Sequence, residues 1–169
     1  MKKLFTVFFI VLIICFGFVG CADSSDHTDT SQNQNGSDDL TNTLPEQKEV
    51  KEMYISINNN KLKVKLEDNT SVSALVEILK QGDITYTASD YGDFEKVGSL
   101  GHTLPANNST IITQPGDVIL YSGNQIVIFY GSNSWSYTRL GRIEGYSVSE
   151  LRTLLLAGRG SVKVVLSLQ

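Results

Sequence analysis

Hydrophobic and polar positions fall along this chain in three unlike patterns. Residues 4–19 are an apolar run of 16, broken only by Thr6 and Gly17. In residues 22–50 only Ala22, Leu40, Leu44 and Val50 are apolar. From Met53 onward the apolar positions return at regular spacing. Leu62, Val64 and Leu66 alternate with Lys61, Lys63 and Lys65, the pattern of a strand with one buried and one wet face. The same pattern over 54–57, with Asn58-Asn59-Asn60 between, predicts a hairpin, because Asn tolerates positive φ. Val72, Leu75, Val76 and Leu79 stand at i, i+3, i+4 and i+7 and predict a helix. Asn69, Thr70 or Ser71 can cap its start and Gly82 can end it.

The second half reads as strands and turns. A short strand is expected near 84–86, then loop punctuated by Gly92, Gly98, Gly101 and Pro105, then a strand at 111–113. Pro115-Gly116 marks a turn. Residues 118–121 and 125–130 are strands about the tight turn Ser122-Gly123-Asn124, and the near-continuous apolar run from Ile126 to Tyr130 predicts a strand buried on both faces. Residues 135–143 form another strand. Ser147 and Glu150 have capping-box spacing ahead of a helix striped by Leu151, Leu154 and Leu155, with Gly158 at its end. Val162, Val164, Leu166 and Leu168 alternate through a last strand. Seven or eight strands and two short helices within 51–169 fit a mainly β fold, a small closed barrel with helices at its ends. Closure removes the sheet edges that invite aggregation.

Charge sharpens the division. The chain carries a formal −4 over 169 residues, but residues 1–21 hold +2, residues 22–50 hold −6, and residues 51–169 are balanced, with 11 basic and 11 acidic side chains. The acidity belongs to the connecting stretch, which has too little apolar surface to fold and reads as an extended, disordered tether. A neutral domain gives no electrostatic footprint for nucleic acid. At the N-terminus, Lys2 and Lys3 precede an apolar run shorter than the ~20 residues of a membrane span, the form of a signal peptide over 1–20. The run ends Phe18-Val19-Gly20-Cys21, which resembles the lipobox of bacterial lipoproteins. That resemblance implies lipidation of Cys21, a linker over 21–50, and a domain over 51–169 held at the cell membrane on its extracytoplasmic side. More than one acyl chain gives stable anchoring at ~0.8 kcal/mol per buried methylene. Cys15 would leave with the signal peptide, so no free thiol remains for catalysis or metal binding.

The domain has a family resemblance too. Gly116-Asp117-Val118-Ile119-Leu120-Tyr121, the stretch from Gly123 to Gly131, and Ser134-Trp135-Ser136-Tyr137-Thr138-Arg139-Leu140-Gly141 resemble the bacterial cyclophilin-like domain family. Tyr91-Gly92-Asp93-Phe94-Glu95-Lys96 and Leu104-Pro105 fit the same pattern. The resemblance covers residues 52–168 and implies the closed eight-stranded cyclophilin-like barrel with two short capping helices. It implies no particular reaction. The Phe-His-Arg and Gln-Gly-Gly-Asp stretches of true prolyl isomerases are absent.

Candidate chemistry is sparse. His27 lies in the tether and His102 stands alone, so no multi-histidine metal site is available. No Gly-x-Ser-x-Gly elbow accompanies His102, and a loop histidine is expected. Neither a cofactor nor a metal is called for. Asp117, in the turn after Pro115, is expected to accept nearby backbone N–H groups. Glu95-Lys96 reads as a solvated pair or as half of a polar site. On a strand, Trp135, Tyr137 and Arg139 share one face. That face can be a binding surface for a peptide or a carboxylate, with Tyr121, Phe129 and Glu95 as further candidates for holding a peptide or small-molecule ligand. It can equally be core plus one ion pair, for example Arg139 with Glu95. By analogy with the isomerase fold, Arg139 is the catalytic candidate for stabilising a twisted prolyl amide, with Tyr121, Phe129 and Trp135 as pocket walls. The first reading is a ligand- or peptide-binding module, the second a prolyl isomerase acting on secreted proteins, and the third an interaction domain of an envelope assembly.

Overall fold

The computed structural model describes residues 49–169. The segment 1–20, Cys21 and the acidic stretch up to residue 48 lie outside the described residues. In chain order the elements are β1 (Glu52–Ile57), β2 (Asn60–Leu66), α1 (Thr70–Leu79), β3 (Ile84–Tyr91), β4 (Glu95–Ser99), β5 (Ser109–Ile112), β6 (Asp117–Tyr121), β7 (Gln125–Phe129), β8 (Ser134–Ile143), α2 (Val148–Leu154) and β9 (Val162–Ser167). The strands pair in the order β2-β1-β9-β3-β4-β7-β6-β8, and β2 pairs with β8 to close the ring. Every pairing is antiparallel. The result is the closed eight-stranded barrel expected from the sequence. β5 is a ninth strand outside the ring, paired with the first half of β8 from Ser109 opposite Tyr137 to Ile112 opposite Ser134.

Local sequence accounts for most of these elements. Asn58, with φ at 53°, makes the β1–β2 turn, and Ile57 pairs with Asn60. The Asn69 side chain caps α1 by accepting from the Val72 N–H at 3.0 Å, and its amide donates to the Arg139 carbonyl at 2.9 Å. At α2 the capping box forms, with the Glu150 N–H on Ser147 Oγ and the Ser147 N–H on Glu150 Oε2 at 2.7 Å. Both helices seat their apolar stripes in the main core, α1 through Val72, Leu75, Val76 and Leu79, and α2 through Leu151 and its C-cap residue Leu155.

β3 and β4 correct the sequence reading. Residues 87–99 are an extended hairpin where mostly loop was expected. Ile84, Tyr86 and Ala88 alternate inward, and Gly92 and Asp93, both at positive φ, make the turn that sets Tyr91 opposite Glu95. The small Ala88 and the polar Ser89 and Asp90 weaken the hydrophobic signal there.

Two clusters make up the interior. The larger lies within the ring and includes Ile55, Val64, Leu120, Ile128, Leu140 and Val164. The smaller, Ile119, Val127, Phe129 and Tyr137 with Phe94, Val97 and Ile111 packed on it, lies on the opposite face of β6 and β7. That second layer is why β7 is buried on both faces, as its apolar run predicts.

Candidate functional site

Strand alternation places the site. On β4, β6 and β7 the residues facing away from the main core are Glu95 and Val97, Ile119 and Tyr121, and Gln125, Val127 and Phe129. Over this outer face runs the first half of β8, bringing Trp135 and Tyr137. Between them lies a groove of about 410 Å³ lined by Tyr91, Glu95, Val97, Tyr121, Gln125, Val127, Asn133, Trp135 and Tyr137.

A chain of rings builds its floor and walls. Phe94 stacks on Phe129 with centroids 6.1 Å apart, Phe129 meets Tyr137 edge-on at 5.8 Å, and Tyr137 meets Tyr121 edge-on at 5.9 Å. Tyr91 extends the series from Phe94 at 6.3 Å. These are the offset and edge-to-face arrangements aromatic pairs favour. The outermost rings stay open to solvent, Tyr91 64% exposed and Trp135 59%. The rim is tied down at Asn133. Its amide donates to Tyr137 Oη at 3.0 Å, its carbonyl accepts from the Thr113 N–H at 2.8 Å, and its own N–H donates to Thr113 Oγ1 at 2.9 Å.

Glu95 is the one charged residue in this lining among the described residues. It is 7% exposed, and its Oε2 is buried without a hydrogen-bond partner. Burial pushes its carboxyl up to about 7. Burial also raises the Tyr137 phenol, and the nearby Glu95 carboxyl adds to that shift.

Glu95 and Lys96 are not the solvated pair one sequence reading expected. Both are buried, on opposite faces of β4. Lys96 is 0% exposed, with its Nζ 2.8 Å from Asp90 Oδ1 and 2.7 Å from the Gly160 carbonyl. Asp90 also accepts from Tyr130 Oη and from the Gly160 N–H, each at 2.9 Å. Burial acts to raise the Asp90 carboxyl, but these donors outweigh it and hold it below the usual range.

The sequence-derived candidates divide three ways. Glu95, Tyr121, Trp135 and Tyr137 come together in the groove. Phe129 lies beneath, fully buried against Phe94 and Tyr137. Arg139 does not line the groove. It stands four positions beyond Trp135, about 13 Å along β8. There its guanidinium pairs with Asp117 at 3.2 Å, not with Glu95. Arg142 shares Asp117 at 2.8 Å, and Asp117 also accepts the Gln114 N–H at 2.9 Å, the backbone role expected of it. His102 is an exposed loop residue. Among the described residues, no group of three His, Cys, Asp or Glu is placed to hold a metal, and no helix is long and apolar enough to cross a membrane.

Sequence reasoning missed Tyr91, Val97, Gln125, Val127 and Asn133. Tyr91 carried a usable signal, a Tyr immediately before a Gly-Asp turn. Asn133 carried none, because its role depends on Thr113, 20 residues away.

A closed antiparallel eight-stranded barrel with two short helices is consistent with a cyclophilin-like barrel. Residues 55–167 match the cyclophilin-like family, and the chain belongs to that family. The fold is similar to the solution structure of a hypothetical protein from Archaeoglobus fulgidus, with a TM-score of 0.53, 18% identity, and coverage of 73% of this chain and 99% of that one. Among curated proteins none matches the chain.

Proposed function

We propose that this chain is a lipid-anchored, extracytoplasmic protein whose cyclophilin-like barrel binds a peptide or small molecule in the outer groove. The anchoring half of the reading rests on the basic, apolar and Gly-Cys succession ending at Cys21. The binding half rests on one observation: a 410 Å³ groove with exposed aromatic rings around a buried, partly unpartnered carboxyl. A concave, largely aromatic surface with a few convergent polar groups is the usual form of a ligand site. Leaving Glu95 Oε2 unpaired costs folding free energy, about 1–3 kcal/mol for a typical buried polar group. A ligand that satisfies it recovers that cost.

The reading is tested by amide chemical-shift mapping on the protein titrated with a panel of blocked dipeptides and small amines. Shifts that saturate and centre on Tyr121, Gln125, Trp135 and Tyr137 are expected. Saturable shifts confined to another surface would contradict it. Prolyl isomerisation is the second reading, and the geometry favours it less. The arginine it needs is committed to Asp117, outside the groove. A proline-peptide assay is expected to give no rate above the uncatalysed one, for the parent chain and for Arg139→Ala alike. A rate lost in Arg139→Ala would restore the isomerase reading.

A further inference from the structure

We propose that the groove recognises an organic ammonium group, free or at the end of a lysine side chain, held among the rings of Tyr91, Tyr121, Trp135 and Tyr137 with its charge matched by Glu95. This rests on the groove being the ligand site. It adds what the ligand must be.

Several observations select a cation over other occupants. Aromatic faces carry negative potential and attract ammonium groups within about 6 Å of the ring centroid. Four such residues line one groove, two of them largely exposed. Among the described residues the lining contains no Lys, Arg or His, so nothing there favours an anion, and Glu95 opposes one. An apolar ligand would leave Glu95 Oε2 as orphaned as it is now. A metal ion needs several oxygen or nitrogen ligands, and the groove offers a single carboxylate. An ammonium group needs only rings and one counter-charge. Burial makes that counter-charge worth more than it would be in water, because the surrounding dielectric is lower.

The position of Glu95 explains why no internal cation has taken the role. Lys96, the adjacent residue, points into the ring and is held by Asp90 at 2.8 Å. Arg139, the nearest basic residue on β8, is held by Asp117. The carboxyl therefore faces the groove without a partner of opposite charge from the described chain.

Trp135 is the chain's single tryptophan, so its emission reports directly on the groove in the full-length protein. Emission is followed during titration with choline, with an end-blocked lysine peptide, and with 3,3-dimethylbutan-1-ol, which has the shape of choline and no charge. At least one of the two cations is expected to give a saturable change, with the neutral isostere about tenfold weaker or more. Binding by choline alone identifies a small amine as the source, and binding by the peptide alone identifies a lysine side chain. Glu95→Gln, which keeps the volume and removes the charge, is expected to weaken the cation by about tenfold. Equal binding of choline and its isostere overturns the cation inference and leaves the groove as a ligand site. Failure of all three probes, together with no groove shifts from the blocked dipeptides, overturns both.

Discussion

Burial holds the Glu95 carboxyl up to about 7, well above the ordinary glutamate value, and the fold accommodates its neutral form more easily than its charged form. The folded state therefore binds this proton more tightly than the unfolded chain does. Stability from Glu95 is present in full below the unfolded value near pH 4.5 and is lost as pH rises through about 7. Glu95→Gln is accordingly expected to stabilise the chain at about pH 8 by on the order of 2 kcal/mol, a gain that fades below about pH 5. Urea midpoints at the two pH values measure it, and an equal gain at both would exclude titration of Glu95 as the cause. None of this was legible at residues 95 and 96 themselves. Adjacent opposite charges usually sit at the surface, and charged side chains are seldom fully buried without a partner. The partner that buries Lys96 is Asp90, across a hairpin whose sequence signal was weak.

At the scale of elements, the ring closes where β8 meets β2, from Val64 opposite Ile143 to Leu66 opposite Gly141. Gly141 is needed there. A Cβ on it would run into the Lys65 carbonyl and crowd the Val64 side chain at 2.8 Å, and the backbone on that side cannot swing away without opening the seam. Just beyond, the register between β6 and β8 shifts between Val118 and Ile119, an irregularity that leaves Arg139 and Arg142 flanking Asp117. Gly141→Ala is expected to destabilise the chain by about 3 kcal/mol, as overpacking does at a site that cannot relax. A thermal midpoint unchanged from the parent would show that the seam tolerates a side chain. The helices and hairpins with strong caps or turns were readable from sequence: Asn69 and the Ser147–Glu150 box at helix starts, Asn58 at the first turn. Strand closure was readable only as a count of strands. The pairing of β2 with β8 joins residues more than seventy positions apart, and no local pattern encodes it.

Across the whole molecule, a neutral barrel follows an acidic stretch that follows an apolar N-terminal run, and the net −4 is the −6 of the middle stretch offset by the +2 of residues 1–21. If Cys21 carries the anchor, its replacement by Ala abolishes acylation. The altered protein is then expected to lose the lipid-sized mass increment on its N-terminal peptide and to lose detergent-dependent extraction from membranes. An unmodified Cys21 in the parent protein would contradict the anchor. The family was legible because residues 116–141 keep β6, β7 and β8 contiguous in sequence. The groove was legible only in part. Tyr121, Trp135 and Tyr137 come from that contiguous block, whereas Tyr91 and Glu95 arrive from β3 and β4 through long-range pairing. Arg139 belonged to the block by sequence, but strand rise carries it beyond the groove and Asp117 holds it there.

The central claim is that Glu95, in its charged form, meets a ligand cation in this groove. Its most direct test is the pH dependence of choline or blocked-lysine binding, read through Trp135. The other titratable residues facing Glu95 are Tyr91 from β3, Tyr121 from β6 and Tyr137 from β8. β7 contributes none, and Lys96 and Asp90 face the other side of the sheet. Only the ionised fraction of Glu95 is competent, so the apparent affinity follows that fraction. It is expected to rise about tenfold between about pH 6 and about pH 8 and then level off, with no such rise in Glu95→Gln. An affinity that falls over that interval would mean that protonated Glu95 donates to a neutral ligand, and a flat profile would mean that Glu95 takes no part. Either would contradict the account.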